Sequence, residues 1–360
     1  MKDYQVSVAD PDMDSKKLKI GYVPYLPDLS QPGDRRRFPY FAKRNNIPYE
    51  IADKNKSYDI ILITGSANLS QWLLYKKKHP QTRFIFEMVD SLIFSSDIFN
   101  ALFKGVGWFI LRKETLLYLN HRKLVLKWLK TADLVLCSST EIKKIIEPYS
   151  RHVIISPDYL QHEFRFCKKD FSINGKMKLV WEGQGAVLPH FLHFKKLLSQ
   201  LNEFCELHVI TDETYPMYGK IINNHVEKIL GKLPIRTIFH RWDLNENQKV
   251  FSECDCAIIP LNKKNLFGWH KPANKLISFW FTGLPVVASA TPAYTEIMNS
   301  ANEKLYCNTD GEWVEKLLQI KKMSTDEREK LVMKNLSFAE NNFSNEVLDG
   351  VWFKIFDEIG

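Results

Sequence analysis

Two lysines, Lys271 and Lys275, stand four residues apart in the run KPANKLISFWFTG. The run has apolar residues at helical spacing, so it predicts a helix that opens at Lys271 and Pro272 and is capped at Gly283. A helix N-terminus presents N–H groups and a partial positive charge. The two ammonium groups can therefore bind an anion together with the helix end. Asn274 is a further candidate ligand contact, which capping or packing would also explain. The competing interpretation is a solvated first turn.

A pair of glycines follows another apolar run, in the string KLVWEGQG. Gly183, Gln184 and Gly185 predict a loop after a buried strand, and residues without a Cβ let the backbone approach a ligand closely. All three are candidate ligand contacts. The two glycines are the firmer candidates, because backbone geometry alone gives a reason for them.

Two carboxylates end the apolar run RFIFEMVD, at Glu87 and Asp90. Ligands of open α/β sheets bind at the carboxyl edge, where such a run would end. A carboxylate in that place can accept a proton from a substrate hydroxyl. Asp90 is the candidate base, and a cap on the following segment SLIFSSD is the alternative.

The composition limits the class of protein to which these residues belong. With 360 residues, 45% of them apolar and 26% charged, it is ordinary for a globular protein of about two domains. Disordered, collagen-like and coiled-coil classes are excluded on that basis. The net charge of +8 suits an anionic partner.

The six cysteines lie in or beside apolar runs without a CxxC pair, which indicates reduced thiols and no zinc site. The opening residues are polar, unlike a signal peptide. The longest apolar stretches fall short of the ~20 residues of a membrane-spanning helix. We expect a cytoplasmic protein.

Apolar runs alternate with helical segments along the whole chain, which predicts parallel sheets covered on both faces. Runs of this kind occupy 18–26, 58–65, 83–90, 133–139 and 152–158, then 176–185, 206–211, 235–242, 255–262 and 284–290. The segment with Arg35, Arg36 and Arg37 reads as a loop. The alternation restarts near 165–176, so the fold class is α/β with two Rossmann-like domains. The domains are 1–168 and 176–336, and 337–360 is a helix that packs back on the first.

The string KPANKLISFWFTGLPVVASATPAYTEI (271–297) resembles the donor-site signature of GT-B glycosyltransferases of the group 1 type. That signature is a helix opening with Pro and Lys, a Gly, Pro-Val-Val-Ala and a later Glu. KLVWEGQG, HRWDLNENQKVFSECDCAIIPL and TADLVLCSSTEIKKII follow the order of the same family. The resemblance covers about 130–345, and the residues before it fit by architecture only.

The resemblance implies an enzyme with two Rossmann-like domains facing a cleft. It implies a nucleotide-sugar donor held by the second domain and a surface-glycan or lipid-linked acceptor, as in polysaccharide biosynthesis. Negative charge grows on the donor diphosphate as its bond to the sugar breaks, and Lys271, Lys275 and the helix end would stabilise it without a metal ion or cofactor. Glu296 matches the later Glu of the signature.

The sequence departs from the family pattern at several sites. Where many relatives have two Glu separated by seven residues, this chain has His270 and Ser278. The Arg of the glycine loop is replaced by Gln184, and Pro189 or His190 falls near the position of the loop's Lys. The chain therefore looks like a divergent branch. His270 is a candidate catalytic group, and Ser278 a candidate ribose contact that packing also explains.

Two rival functions stay open: a nucleotide-sugar epimerase or hydrolase, and a non-catalytic protein that binds sugars or polyanions. Nucleic-acid binding is disfavoured, because the basic residues are scattered rather than grouped on one recognition element. The stretch 99–130 mixes Phe, Trp and Leu with Lys and Arg, as in a helix at an anionic membrane. Its alternative is a pair of helices with solvated basic faces.

Overall fold

A computed structural model describes residues 18–89, 121–217 and 222–360. By its contacts the chain divides into two compact units. The first unit contains the described residues up to Tyr159, together with 270–272 and 345–360. The second unit contains 160–269 and 273–344. The segment 160–168, expected at the end of the first domain, lies in the second unit.

Fourteen strands run through the described residues, and in chain order they have the following bounds. They are β1 Ile20–Val23, β2 Glu50–Ile51, β3 Ile60–Thr64, β4 Arg83–Met88, β5 Leu134–Cys137, β6 Val153–Ile155, β7 Met177–Glu182, β8 Cys205–Thr211, β9 Thr214–Met217, β10 Ile222–His225, β11 Thr237–Arg241, β12 Cys256–Ile259, β13 Val286–Ser289 and β14 Tyr306–Cys307. Each of the ten predicted runs contains a strand. The sequence analysis missed β2, β14 and the hairpin β9–β10.

The α-helices of the described residues take the labels α1 to α14. They are α1 Pro32–Arg35, α2 Phe38–Arg44, α3 Leu69–Lys78, α4 His121–Thr131, α5 Thr140–Ile146, α6 Lys195–Leu201, α7 Glu227–Leu230, α8 Leu244–Glu253, α9 Leu266–Trp269, α10 Asn274–Thr282, α11 Pro292–Ser300, α12 Asp310–Lys322, α13 Thr325–Phe343 and α14 Asn345–Ile359. Two 3₁₀ helices span Glu147–Tyr149 and Gly185–Phe194. None of the described helices is long and apolar enough to cross a bilayer.

Each unit is built on a six-stranded parallel sheet, which confirms the prediction of an α/β fold with two Rossmann-like domains. The first has the order β2-β1-β3-β4-β5-β6 and the second β11-β8-β7-β12-β13-β14. The chain steps outward from β1 to β2 and then crosses to β3, and it does the same from β7 to β12. These two places are topological switch points, where open α/β sheets bind ligands at the carboxyl edge.

Both faces of the first sheet are covered. Ile61 and Ile63 of β3 belong to one buried cluster, and Ile60 and Leu62 belong to another. This alternation with a period of two residues explains why the strand reads as a continuous apolar run.

The segment read as a loop around Arg37 is helical, so that prediction is wrong. Helices α1 and α2 fill it, and each has a proline in its first turn, where the missing N–H costs no helical bond. Phe38 and Phe41 of α2 pack on Trp352 of α14, with ring centroids 5.8 and 5.6 Å apart.

Helix α4 covers the described part of the stretch proposed to contact a membrane. Its apolar side chains Leu124, Val125, Trp128 and Leu129 are fully buried in the first unit. These apolar side chains thus belong to the core, as the alternative interpretation expects, and contact of the stretch with a membrane stays a prediction. Residues 99–120 lie outside the described part of the chain.

Helix α10 ends at Gly283, which confirms the predicted cap. Gly283 has φ +88°, and its N–H is donated to the carbonyls of Phe279 and Trp280. Glycine takes this left-handed backbone without the steric cost that a Cβ imposes. A Cβ built on Gly283 would lie 2.7 and 2.9 Å from ring carbons of Phe166.

We expect Gly283→Ala to lower the free energy of unfolding by about 2–3 kcal/mol, from left-handed strain and from crowding against Phe166. Gly175 is the matched control, because it has φ +80° and nothing within 4 Å of a built Cβ. Gly175→Ala should lower the free energy of unfolding by about 1 kcal/mol, from left-handed backbone strain alone. Chemical denaturation measures the free energy of unfolding of both variants. Equal losses would show that the Phe166 ring moves aside without an energetic cost.

Candidate functional site

The candidate site lies at the carboxyl edge of the second sheet, at the switch point between β7 and β12. Helix α10 begins there, at Asn274 rather than at the predicted Lys271. Its N-cap residue is Ala273, and no side chain caps the helix. Lys275 lies in the first turn, whereas Lys271 precedes the helix, so the prediction of two lysines on one helix is wrong.

Lys275 reaches from this first turn to the end of β7. Its Nζ donates to the backbone carbonyl of Glu182 and lies 3.4 Å from the Glu182 carboxylate. The same Nζ lies 5.1 Å from the centre of the Trp181 ring. The lysine side chain remains 35% exposed. A cation is thus fixed at the sheet edge while solvent or a ligand can still reach it.

The glycine loop is built around this lysine. A Cβ on Gly183 would lie 2.7 Å from the Lys275 Nζ and 2.7 Å from the Trp181 ring. Gly185 donates its N–H to the Asp212 carboxylate at 2.9 Å. Both glycines are buried and Gln184 between them is exposed. The missing side chain at Gly183 is therefore what allows Lys275 to cross the strand end.

Trp242, which follows β11, lies at the same edge of the second sheet and contacts Glu182. Its indole N–H donates to the Glu182 carboxylate at 3.0 Å. The ring is partly buried and packs against the core of the second unit. The register explains the contact, since Glu182 and His240 both pair with Ile210 of β8.

The loops after β7 and β12 meet at His190. Its Nε2 lies 3.5 Å from the amide nitrogen of Asn265. Burial, with a smaller effect from His193, lowers the pKa of His190. His190 is on the 3₁₀ helix Gly185–Phe194, and Pro189 lies inside that helix.

Two other expected ligand contacts lie deeper or further along their helices. Ser278 is only 6% exposed and sits in the second turn of α10. Glu296 is partly buried and is the fifth residue of α11, so it does not support that helix's first turn, where Thr291 is the cap. The ligand roles of both residues stay predictions.

His270 groups with the first unit, as does the exposed Lys271. The His270 Nδ1 lies 3.3 Å from the carboxylate of Glu141, in the first turn of α5. The imidazole is 16% exposed and the carboxylate 25%. A carboxylate at one ring nitrogen fixes the orientation of a histidine.

Asp90, the candidate base, lies outside the described residues. Glu87, three residues earlier, is fully buried and receives a bond from Arg37 Nε at 3.0 Å. Arg37 also donates to Asp158 at 2.9 Å and to the carbonyl of Ser156 at 2.8 Å. We name Arg37, Glu87 and Asp158 the buried ion cluster.

The buried ion cluster has shifted protonation equilibria. Burial raises the pKa of Glu87, and Arg37 opposes that shift. Burial also works against the charged guanidinium of Arg37, but Glu87 and Asp158 outweigh it and raise its pKa. Arg37 is therefore an internal cation rather than part of a solvated basic patch.

Glu253 and Asp255, two carboxylates separated by one residue, lie at the opposite edge of the second sheet, before β12. Asp255 precedes β12, and its carboxylate accepts the N–H of Lys178 at 2.8 Å. Within the described ranges no three His, Cys, Asp or Glu side chains cluster closely enough to hold a metal ion.

Sequence reasoning singled out Lys275 and the glycines but not Asp212, nor the hydrogen bonds that Glu182 accepts from Lys275 and Trp242. Glu182, Asp212 and Trp242 each stand at or just after the end of a strand of the second sheet. The signal was available, because all three follow predicted strands and the carboxyl ends of parallel strands share one edge.

Solved structures that superimpose on this chain include glycosyltransferases. TarM superimposes with a TM-score of 0.57 at 8% identity over 84% of this chain, and the chain spans about half (54%) of TarM. HepE of Anabaena in complex with UDP gives 0.62 at 12% identity, covering 94% of this chain and 100% of HepE. An α-glucosyltransferase, AGT, in complex with UDP gives 0.58 at 11%, covering 95% and 99%.

At the level of sequence, no protein-family model and no curated protein matches this chain. The likeness therefore shows the architecture: two α/β units arranged along the chain as in TarM, HepE and AGT. The chain has the GT-B fold of these glycosyltransferases.

Proposed function

We propose that the protein is a glycosyltransferase that takes a sugar from a nucleotide-sugar donor bound at the carboxyl edge of the second sheet. The observation that carries the proposal is the position of Lys275. It joins the first turn of α10 to the end of β7, at the switch point of a sheet whose fold is that of glycosyltransferases. Two of the solved neighbours hold UDP, which favours a uridine donor.

The proposed chemistry needs a group that stabilises the departing nucleotide. Charge grows on the diphosphate as the bond to the sugar breaks, and an ammonium in place beforehand lowers that barrier. Lys275 is held by Glu182 and by the Trp181 ring, so little reorganisation is needed. The first turn of α10 adds the partial positive charge of a helix end.

A proton must also leave the acceptor hydroxyl. The imidazole of His270, whose Nδ1 lies 3.3 Å from the Glu141 carboxylate, is suited to accept it. We propose this role for His270 and propose a surface glycan or a lipid-linked sugar as the acceptor. No nucleic acid or cofactor enters the scheme.

A donor panel tests the proposal directly. Thermal unfolding is measured with UDP-, GDP-, ADP-, CMP- and dTDP-linked sugars, and release of the nucleotide is then followed for any donor that stabilises the protein. A donor at about ten times its Kd should stabilise by about 1.4 kcal/mol. Stabilisation by every polyanion alike, with no nucleotide release, would instead indicate a polyanion-binding protein.

We expect the nucleotide release to persist in excess EDTA, since the ammonium of Lys275 and the helix end supply charge that a divalent ion supplies elsewhere. The measurement compares initial rates with EDTA and with added Mg²⁺ or Mn²⁺. The initial rates with EDTA and with either metal ion should agree within about twofold, because Lys275 and the helix end already supply the positive charge. Strict dependence on either ion would contradict the assignment of the diphosphate to Lys275.

A further inference from the structure

Two histidines on neighbouring strands of the second sheet lie in direct contact. His208 is on β8 and His240 is on β11, and the Nδ1 of His208 lies 3.0 Å from the Nε2 of His240. The ring planes differ by 9° and the ring centres are 5.1 Å apart, so the rings meet edge to edge, nitrogen to nitrogen. We name these two residues the histidine pair. At that distance one nitrogen donates a hydrogen bond and the other must accept it.

A carboxylate indicates which histidine accepts. Glu206, also on β8, has an oxygen 3.6 Å from the other ring nitrogen of His208, Nε2, and that nitrogen is buried. Because Nε2 faces a carboxylate, it favours carrying the proton, which leaves Nδ1 as the acceptor and makes His240 the donor. A further proton on the far nitrogen of His240 leaves the bond intact, whereas one on the Nδ1 of His208 sets two N–H groups against each other. His208 must therefore stay neutral for the contact to exist.

The charged groups around the histidine pair do not compensate a charge on His208. The carboxylate of Glu206 is shared with Arg236, whose guanidinium lies 3.4 Å away, and Lys178 of β7 pairs with Glu206 in the sheet. Burial lowers the pKa of His208, a charge on its partner and Lys178 lower it further, and Glu206 opposes them. Burial lowers the pKa of the partner as well, and Glu253 at the end of α8 opposes that shift. Both histidines therefore favour the neutral form in the folded protein.

Strand β11, which carries one member of the pair, is an edge strand. It is hydrogen-bonded to β8, and each of its five residues is exposed or partly exposed. The strand leads directly to Trp242, whose backbone N–H donates to the carbonyl of Thr211 at the end of β8, at 2.9 Å. The indole of the same residue donates to Glu182. The position of Trp242 at the candidate site thus depends on how β11 pairs with β8.

We infer that the histidine pair is an acid-sensitive contact that holds β11, and with it Trp242, on β8 at neutral pH and releases them in acid. The folded protein favours a neutral His208, whereas in the unfolded chain this residue takes up a proton at the ordinary histidine pKa of about 6.5. The stabilisation is therefore complete above that pH and is lost as the pH falls below it.

Urea unfolding at about pH 7.5 and about pH 5.5 tests the change in stability. The comparison is the double variant His208→Asn with His240→Gln, whose amides place polar atoms near the two paired nitrogens but do not titrate. Between these pH values the unfolding constant of the parent protein should rise about tenfold or more beyond that of the double variant, since His208 alone withholds one proton. His225→Gln is the matched control, because it removes an exposed histidine of the same unit. It should follow the parent protein.

Hydrogen exchange assigns the effect to β11. Over the same pH range the protection of the Trp242 amide, relative to its intrinsic exchange rate, should fall about tenfold in the parent protein and stay unchanged in the double variant. The amide of Ala288 in β13, which donates to the carbonyl of Leu305, should remain the better protected at both pH values. That order shows that β11 opens without unfolding of the whole sheet.

Equal pH dependence in the parent protein and the double variant, in either measurement, would overturn the inference. If the double variant does not fold, the imidazole NMR signals of the parent protein decide the matter. A His208 that stays neutral at about pH 5.5 supports the contact, and a His208 that titrates at about 6.5, as free histidine does, contradicts it. None of these measurements uses a nucleotide, so their result is independent of the proposed function.

Discussion

Replacing Lys275 by alanine is expected to lower the rate of sugar transfer about a hundredfold or more. A preorganised charge that stabilises a departing phosphate contributes on the order of 3 kcal/mol. The fold should survive, because Lys275 is 35% exposed and alanine is a good helix former. Steady-state kinetics with the best donor of the panel and a thermal melt measure the two effects.

Lys77→Ala is the matched control for Lys275→Ala. Lys77 is an exposed lysine of α3 in the first unit, so its loss should leave donor binding unchanged. Lys271→Ala should act in the same direction as Lys275→Ala but more weakly, since Lys271 precedes α10. Full turnover by Lys275→Ala would mean that the donor site is elsewhere, and unfolding would make Lys275 structural.

Arg37→Met is expected to lower the free energy of unfolding by about 3–5 kcal/mol, the largest stability effect we predict. Methionine fills much of the space but leaves Glu87 buried without its cation, and an unpaired buried charge is costly. Denaturation in urea measures the loss. Because burial already holds the pKa of Glu87 above 4.5, the deficit should shrink as the pH is lowered toward that pKa.

Two further variants serve as controls for Arg37→Met. Arg35→Met changes a partly exposed arginine of α1 and should cost less than about 1 kcal/mol. Arg37→Met combined with Glu87→Leu removes both charges and should recover part of the loss. A single Arg37→Met variant as stable as the parent at neutral pH would show that the buried ion cluster contributes no net stability.

Local patterns predicted much of the fold. Ten apolar runs each contain a strand, because strands covered on both faces consist mostly of apolar residues. The cap at Gly283 followed from a glycine at the end of a periodic run. The break between α13 and α14 falls at Ser344, inside the segment 337–360 that was expected to be one helix. These features depend on residues close together in the chain.

The features that were missed depend on partners far apart in the chain. Arg37 looked like part of a basic surface cluster, and only Glu87 and Asp158 make it a buried cation. Strand order, which brings Glu182 to α10, is likewise set by packing. The start of α10 could have been predicted better, because a residue before proline, here Lys271, avoids helical geometry.

The division of the chain has a consequence for its synthesis on the ribosome. Trp352 and Phe356 of α14 pack with Phe38 and Phe41, yet residues 160–344 of the other unit are translated between them. At roughly 5–20 residues per second the nascent first unit waits on the order of ten seconds or more for its last helix. During that interval Phe38 and Phe41 lack the partner that covers them, so chaperones that bind exposed aromatic residues have a defined window in which to act.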